Sequence, residues 1–309
     1  MKSLCIYEWR AGRRYLLPTM FPEATHVRAR LGETSSDLLK RLPPGIEAFL
    51  FHVNLTDTRR TPLRRRAFCR ALRARGIRIL NEHVTDISKH HVQHVCALAG
   101  LRTTIAPRDG DPDEMLILKT SANYGGENEK RLDAGVRRRL GFAQPTRLIR
   151  GFDGYLIRRR KEVRPEFWRS RQVIVERFIE NRHHVFYRAH KLLDRVIVSR
   201  MVNPARIKKM LQQIRRTNWN LHLPSLEPVE GPRPVPMHVV RAVSSFCAAA
   251  RLDAGSIDIM EDDEGRCYVV DLNAQPYWGR ETGYDHMLRY LAGGLTSAGA
   301  VWRSSSEAR

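Results

Sequence analysis

Asp258, Asp271 and Asn273 are the side chains of this 309-residue chain whose types and spacing point most directly to chemistry. They lie in SIDIMEDDEGRCYVVDLNAQPYWG, residues 256–279, where two runs rich in Ile, Val and Tyr flank an Asp/Glu/Gly cluster. That pattern signals a β-hairpin. A two-residue turn at Glu264 and Gly265 would set Asp258 opposite Asp271 and Ser256 opposite Asn273, all on one face. A four-residue loop would make the two aspartates diagonal neighbours on the same face. Carboxylates facing each other across a sheet repel, so the pairing calls for a cation. A hard divalent ion such as Mg²⁺ suits two carboxylates and an amide oxygen. Residues 261–264 read as an ordinary acidic tip, whereas Asp271 and Asn273 lie beyond it in an apolar strand.

Two lysines stand at element ends. Lys89 falls in the first turn of a helix expected from a cap at Asp86 or Ser88 to Gly100. A cation there opposes the helix macrodipole, where an anion is favoured, so helix stability does not explain it. Lys119 ends the apolar strand MLILK, residues 115–119. Gly125 and Gly126 in the following loop, 120–127, can bring backbone N–H groups close to phosphate oxygens. The loop reads as a mobile lid. GxxxxGK[ST] is absent, so this is no P-loop. His90 and His94 have the i, i+4 spacing of helical zinc ligands, with His83 and His91 nearby. No Glu stands beside them in HExxH form, and they read as polar surface. Neither a GxSxG elbow nor a defensible Cys–His pair is present.

These residues need a framework. Strand 46–53, a helix across 63–75, Gly76 and strand 77–80 form a strand–helix–strand unit of a parallel sheet. Further strands are expected at 173–179, 185–189 and 196–202, helices at 205–216 and 237–252, and a proline-rich loop at 224–236. The length allows about two domains. No apolar run approaches the roughly 20 residues of a membrane span, and Glu8 and Arg10 interrupt any signal-peptide core. Five scattered cysteines without CxxC spacing point to reduced thiols and a cytoplasmic protein. The formal charge of +21 comes from arginines spread along the whole chain without interleaved aromatics. It reads as a basic surface, not a nucleic-acid groove, and suits an acidic partner.

Four motifs in fixed order resemble the ATP-grasp superfamily over residues 77–295. ILNEHVTDISKHHVQHVCALAGLRTT (79–104) matches the family's strand ending in Asn, followed by a phosphate-binding lysine, Lys89. MLILKTSANYGG (115–126) matches the strand whose lysine, Lys119, contacts phosphates before a glycine loop; Thr120 replaces the usual Pro. VIVERFIENRHHVF (173–186) is similar to the hinge that reads adenine, with Glu176 in the acidic position and backbone contacts at Arg177, Phe178 and Ile179. His183 stands where an acidic residue commonly holds the ribose, and Glu180 is the substitute. The closing pattern is Asp258, Asp271, Asn273 and Pro276, with Asp271 where Glu is more frequent. Ser256 stands where D-alanine–D-alanine ligases carry an arginine, which argues against that subfamily.

The resemblance implies an α/β and α+β fold: a Rossmann-like domain at 1–85, a first ATP-grasp lobe at 86–165, a second lobe at 166–300 with the hairpin, and a disordered tail at 301–309. It implies ATP and Mg²⁺ as cofactors. The implied activity is ligation of a carboxylate, activated as an acyl-phosphate, to an amine, in the peptide- or amino-acid-ligase branch. Arg200 and Arg280 are the candidates to steady the acyl-phosphate. The substrate would be a small molecule or a peptide, acidic in view of the chain's charge, and a homodimer is compatible. A phosphotransferase acting on an anionic substrate is one alternative. A non-enzymatic basic binding protein with a vestigial nucleotide fold is the other.

Overall fold

The computed structural model describes residues 3–9, 15–30, 32–139, 149, 155–207, 215–222, 227–230, 235–278 and 284–306. It is a mixed α/β protein with one parallel and two antiparallel sheets. Strands β1 (Leu4–Glu8), β2 (Thr25–Arg28), β3 (Ala48–His52) and β4 (Arg78–Leu80) lie in the order β2-β1-β3-β4, every pair parallel. Parallel neighbours need crossovers, and the helices Leu16–Met20, Ser35–Arg41 and Arg65–Arg73 lie in them. β3, the third helix and β4 fall within the unit expected at 46–80. Burial on both faces explains why LCIYE and AFLFH read as apolar runs instead of alternating ones.

β5 (Met115–Thr120), β6 (Tyr155–Arg159) and β7 (Val173–Arg177) make a small antiparallel sheet in the order β6-β5-β7. β8 (Val185–Leu192), β9 (Arg195–Val202), β10 (Arg215–His222), β11 (Glu227–Glu230), β12 (Ala254–Glu261) and β13 (Cys267–Asn273) make a larger one in the order β11-β10-β9-β8-β12-β13. The helices Lys89–Leu98 and Met237–Ala250 cover one of its faces, where Val92, Val95, Val239, Phe246, Ile257 and Val269 share a core. The helix Asp285–Ser306 joins Leu192 and Ile197 of this sheet to Leu4, Ile6 and Leu50 of the parallel one. Among the described residues no helix is long and apolar enough to cross a membrane.

A buried asparagine fastens the parallel sheet to the hairpin strand. Asn81, directly after β4, is fully buried with φ +57°. Its Oδ1 accepts from the N–H groups of Asp253 (3.1 Å) and Ala254 (3.0 Å), and its Nδ2 donates to Ala254 O at 2.7 Å. Asn tolerates the left-handed region better than most residues, and here its side chain fills the role of a missing strand partner.

Several expectations are corrected. Residues 215 and 216, read as the end of a helix, begin β10, which pairs with β9 on one side and β11 on the other. The stretch read as a proline-rich loop contains β11. The expected tail at 301–309 continues the last helix to Ser306. The expected division at 165/166 cuts the small sheet, because β7 pairs with β5.

Candidate functional site

The hairpin brings Asp258 opposite Asp271 and Ser256 opposite Asn273. The turn is longer than two residues, since the last cross-strand pair is Glu261 with Cys267. A bulge between Asp258 and Ile259, where Ile259 pairs with Val269, then restores the register. Ile257 and Leu272 point into the helix-covered core, so the period of two sends Ser256, Asp258, Asp271 and Asn273 to the other face. Both carboxylates are buried, Asp258 1% and Asp271 7% exposed.

Each acidic or amide group there meets a donor. Arg188, opposite Asp258 on β8, grips it with Nε–Oδ1 2.6 Å and Nη2–Oδ2 3.1 Å. Lys89 Nζ lies 3.8 Å from Asp271 Oδ1. Asn273 Oδ1 accepts from Asn123 Nδ2 at 3.0 Å. Oxygen donors on one face fit a hard divalent cation, with Arg188 and Lys89 as the groups now balancing the carboxylates.

A cleft opens beside the hairpin. Lys89, Lys119, Arg177, Phe178 and Ile179 line it, with Met260 and Val270 of the hairpin as its apolar floor. Lys89 starts its helix behind the cap Ser88, whose side chain accepts from His91 N–H, and its own N–H donates to Ser121 O. Lys119 Nζ pairs with Glu176 at 2.7 Å, and Thr104 donates its hydroxyl to the same fully buried carboxylate. Glu176 therefore braces a lysine and a loop from inside. The N–H groups of Arg177 and Phe178 donate to Thr104 O and Met115 O, so these two hinge donors are used internally.

Other expected residues lie elsewhere. Gly125 and Gly126 have φ +63° and +75° in the turn Asn123–Gly126, and they do not line the cleft. That segment is packed, not an open lid: Asn123 binds Asn54 and Asn273 by its side chain and Thr56 by its N–H. His183 is exposed in the turn before β8. Arg200 pairs with Tyr187, a member of the helix-covered core, so it lies on the face opposite Asp258. Arg280 lies outside the described residues.

Two groups were missed. Arg188 is one, flagged only by its place as a charged residue in the apolar strand VFYRAHKL. The other is Glu8 with His52, at the carboxyl ends of β1 and β3, where open parallel sheets keep their ligand crevices. Glu8 is 1% exposed and His52 fully buried; Glu8 lies 2.9 Å from His26 Nδ1 and 3.5 Å from His52 Nδ1. Burial alone would raise the Glu8 carboxyl, but the hydrogen bond with His26 and the nearby His52 imidazole bring it below its ordinary value. Burial holds the His52 imidazole below its ordinary value, with Glu8 opposing.

Fold and site together define a mixed α/β protein with a lysine-lined cleft against an acidic hairpin, and solved structures it is similar to include ATP-grasp ligases. One is the ATP-grasp ligase PsnB complexed with minimal precursor, at 13% identity and TM-score 0.46, covering 96% of this chain and 98% of that one. A RimK domain ATP-grasp protein from Sphaerobacter thermophilus matches at 13% identity and TM-score 0.46, covering 94% and 97%. The macrocyclase MdnC from Microcystis aeruginosa, bound with the precursor peptide MdnA, matches at 11% and 0.46, covering 96% and 100%. No protein-family model matches the chain, and no curated protein matches it by sequence. Superpositions this loose describe shape alone, and the functional reading rests on the site.

Proposed function

We propose that this chain is an ATP-grasp ligase that binds ATP in the cleft and activates a carboxylate as an acyl-phosphate for attack by an amine. The observation that carries this reading is the convergence of Lys89, Lys119 and residues 177–179 on one cleft floored by the hairpin that bears Asp258, Asp271 and Asn273. The parallel sheet then corresponds to the Rossmann-like domain that precedes the grasp.

In this mechanism Ile117, Ile179 and Met260 pack the base, and the backbone at Ile179, beyond the two internally bonded N–H groups, reads its edge. Lys119 and Lys89 offset the charge of the phosphates, where preorganised cations act most strongly. Asp258, Asp271 and Asn273 would hold Mg²⁺, which would supply charge neutralisation at the transferring phosphoryl group. A substrate carboxylate oxygen attacks the γ-phosphorus and ADP leaves. The amine then attacks the acyl carbon, phosphate departs, and the amine gives up a proton. Arg188, which faces Asp258 from β8, is our candidate to steady the acyl-phosphate, in the role expected of Arg200. An acidic peptide suits the formal charge of +21.

The test is product analysis with ATP and Mg²⁺ over paired carboxylate and amine pools. Phosphate release that requires both partners supports ligation. A phosphorylated product formed without amine would instead mean a phosphotransferase. Failure of a non-hydrolysable ATP analogue to bind with Mg²⁺ would remove both readings.

A further inference from the structure

The hairpin has a second chemical face. Glu261 and Cys267 form its last cross-strand pair before the tip. They continue the phase of Ile257, Ile259 and Val269, so they point toward the helix-covered side, away from the cleft. His238, near the start of the helix Met237–Ala250, reaches the same point, with Nε2 2.8 Å from Glu261 Oε2. Ligand atoms of His238, Glu261 and Cys267 all lie within 4.8 Å of one another, the one such triad of His, Cys, Asp or Glu side chains among the described residues. Tyr187 Oη also donates to Glu261 Oε2, at 3.4 Å.

We infer that His238, Glu261 and Cys267 form a binding site for a divalent transition-metal ion of the zinc type. An imidazole nitrogen, a carboxylate oxygen and a thiolate sulfur are a borderline-to-soft donor set, which selects Zn²⁺ over Mg²⁺ or Ca²⁺. The three donors come from three separate elements, so an ion would tie the helix start to both strands of the hairpin. Access is open: the His238 side chain is 46% and that of Glu261 21% exposed, which leaves room for a water as fourth ligand. Binding replaces the His238–Glu261 hydrogen bond and releases the Cys267 thiol proton to solvent. The site uses none of the cleft residues and does not depend on the ligase reading.

Chelator-stripped full-length protein is titrated with Co²⁺ as a spectroscopic probe, then with Zn²⁺ against a chromophoric chelator. The expected result is a thiolate-to-cobalt charge-transfer band with tetrahedral d–d absorption, displaced by Zn²⁺ and missing in Cys267→Ser. Cys5, Cys69, Cys96 and Cys247 are buried, so the band reports on Cys267. His238→Ala, at an exposed position where folding is not at risk, should weaken Zn²⁺ by more than the roughly 10–100-fold that losing an outer-shell partner costs. Cobalt binding without the charge-transfer band would mean that other residues, such as the histidines of helix Lys89–Leu98, bind it, and would overturn the inference. So would a Zn²⁺ affinity unchanged in His238→Ala.

Discussion

Arg188 and Asp258 face each other across β8 and β12 in a two-pronged ion pair, 2.6 and 3.1 Å. The facing carboxylates of the hairpin call for positive charge, and the neighbouring strand supplies one on the far side of Asp258 from Asp271. Removing one partner of a buried pair costs about 3–5 kcal/mol, because the other charge is stranded. Arg188→Ala should therefore destabilise the fold by about 3 kcal/mol in urea denaturation. Adding Asp258→Asn to that variant should restore most of the loss. A single variant as stable as the parent would show that another cation balances Asp258.

Asp258→Asn and Asp271→Asn each remove a ligand charge at nearly constant shape. Turnover should fall by roughly 100-fold or more; each change also leaves a cation, Arg188 or Lys89, without its carboxylate, so thermal unfolding should shift down as well. Mg²⁺ titrations of activity provide the check: near-parental turnover at either position would refute the metal assignment.

Lys119 cannot be tested alone. Its partner Glu176 is fully buried, so Lys119→Met should destabilise the protein by about 3–5 kcal/mol. Pairing it with Glu176→Gln should recover folding. The doubly substituted protein should still bind an ATP analogue about tenfold or more weakly, the effect of one lost charge-assisted contact. Calorimetry showing unchanged affinity would remove Lys119 from the phosphate site.

Glu8 and His52 predict an acid-sensitive fold. A lowered carboxylate pKa contributes stability that is present above the unfolded value and lost as pH falls through the folded one. A lowered imidazole pKa acts in the same direction, because below about pH 6.5 the unfolded chain takes up a proton that the native state refuses. Melting temperature should thus begin to fall near pH 6.5 and continue falling through the carboxylate range. His52→Gln should remove the upper part of that slope and Glu8→Gln the lower. Identical pH profiles in all three proteins would show that the cluster is not what titrates.

Asn81 makes three side-chain hydrogen bonds to residues 253 and 254 from a left-handed backbone. At about 1 kcal/mol each, Asn81→Ala should cost about 3 kcal/mol plus backbone strain. Asn81→Gly should relieve the strain but not the lost bonds, and so fall between the two in denaturant melts. An Asn81→Ala protein as stable as the parent would mean the clasp contributes nothing.

Much of the site could be read from residue order because it depends on local periodicity. Alternation in 256–273 fixed which side chains share a face, and element ends marked Lys89 and Lys119. What the sequence could not show was tertiary. The turn is longer than two residues, and only the bulge returns Asp258 to Asp271. Arg200 fails as a cleft residue because the phase of β9 is set by its neighbours, not by its own alternation. β10 was hidden because its strand structure comes from pairing with β9 and β11 on either side. Glu8 and His52 were legible only as polar ends of apolar runs, a signal that gains meaning once the parallel order of β1 and β3 is known.

The bulge in β13 also has a compositional consequence. In an unbroken strand Val270 and Asp271 would look in opposite directions, one greasy and one charged. The extra residue turns both the same way, so two neighbours in the chain give the cleft an oily floor and an adjoining anion. Removing Val270 would leave Asp271 and Leu272 facing as they do now while taking away the part of the floor beside Met260. The length of strand β13 thus sets what the ligand rests on, separately from where the charge lies.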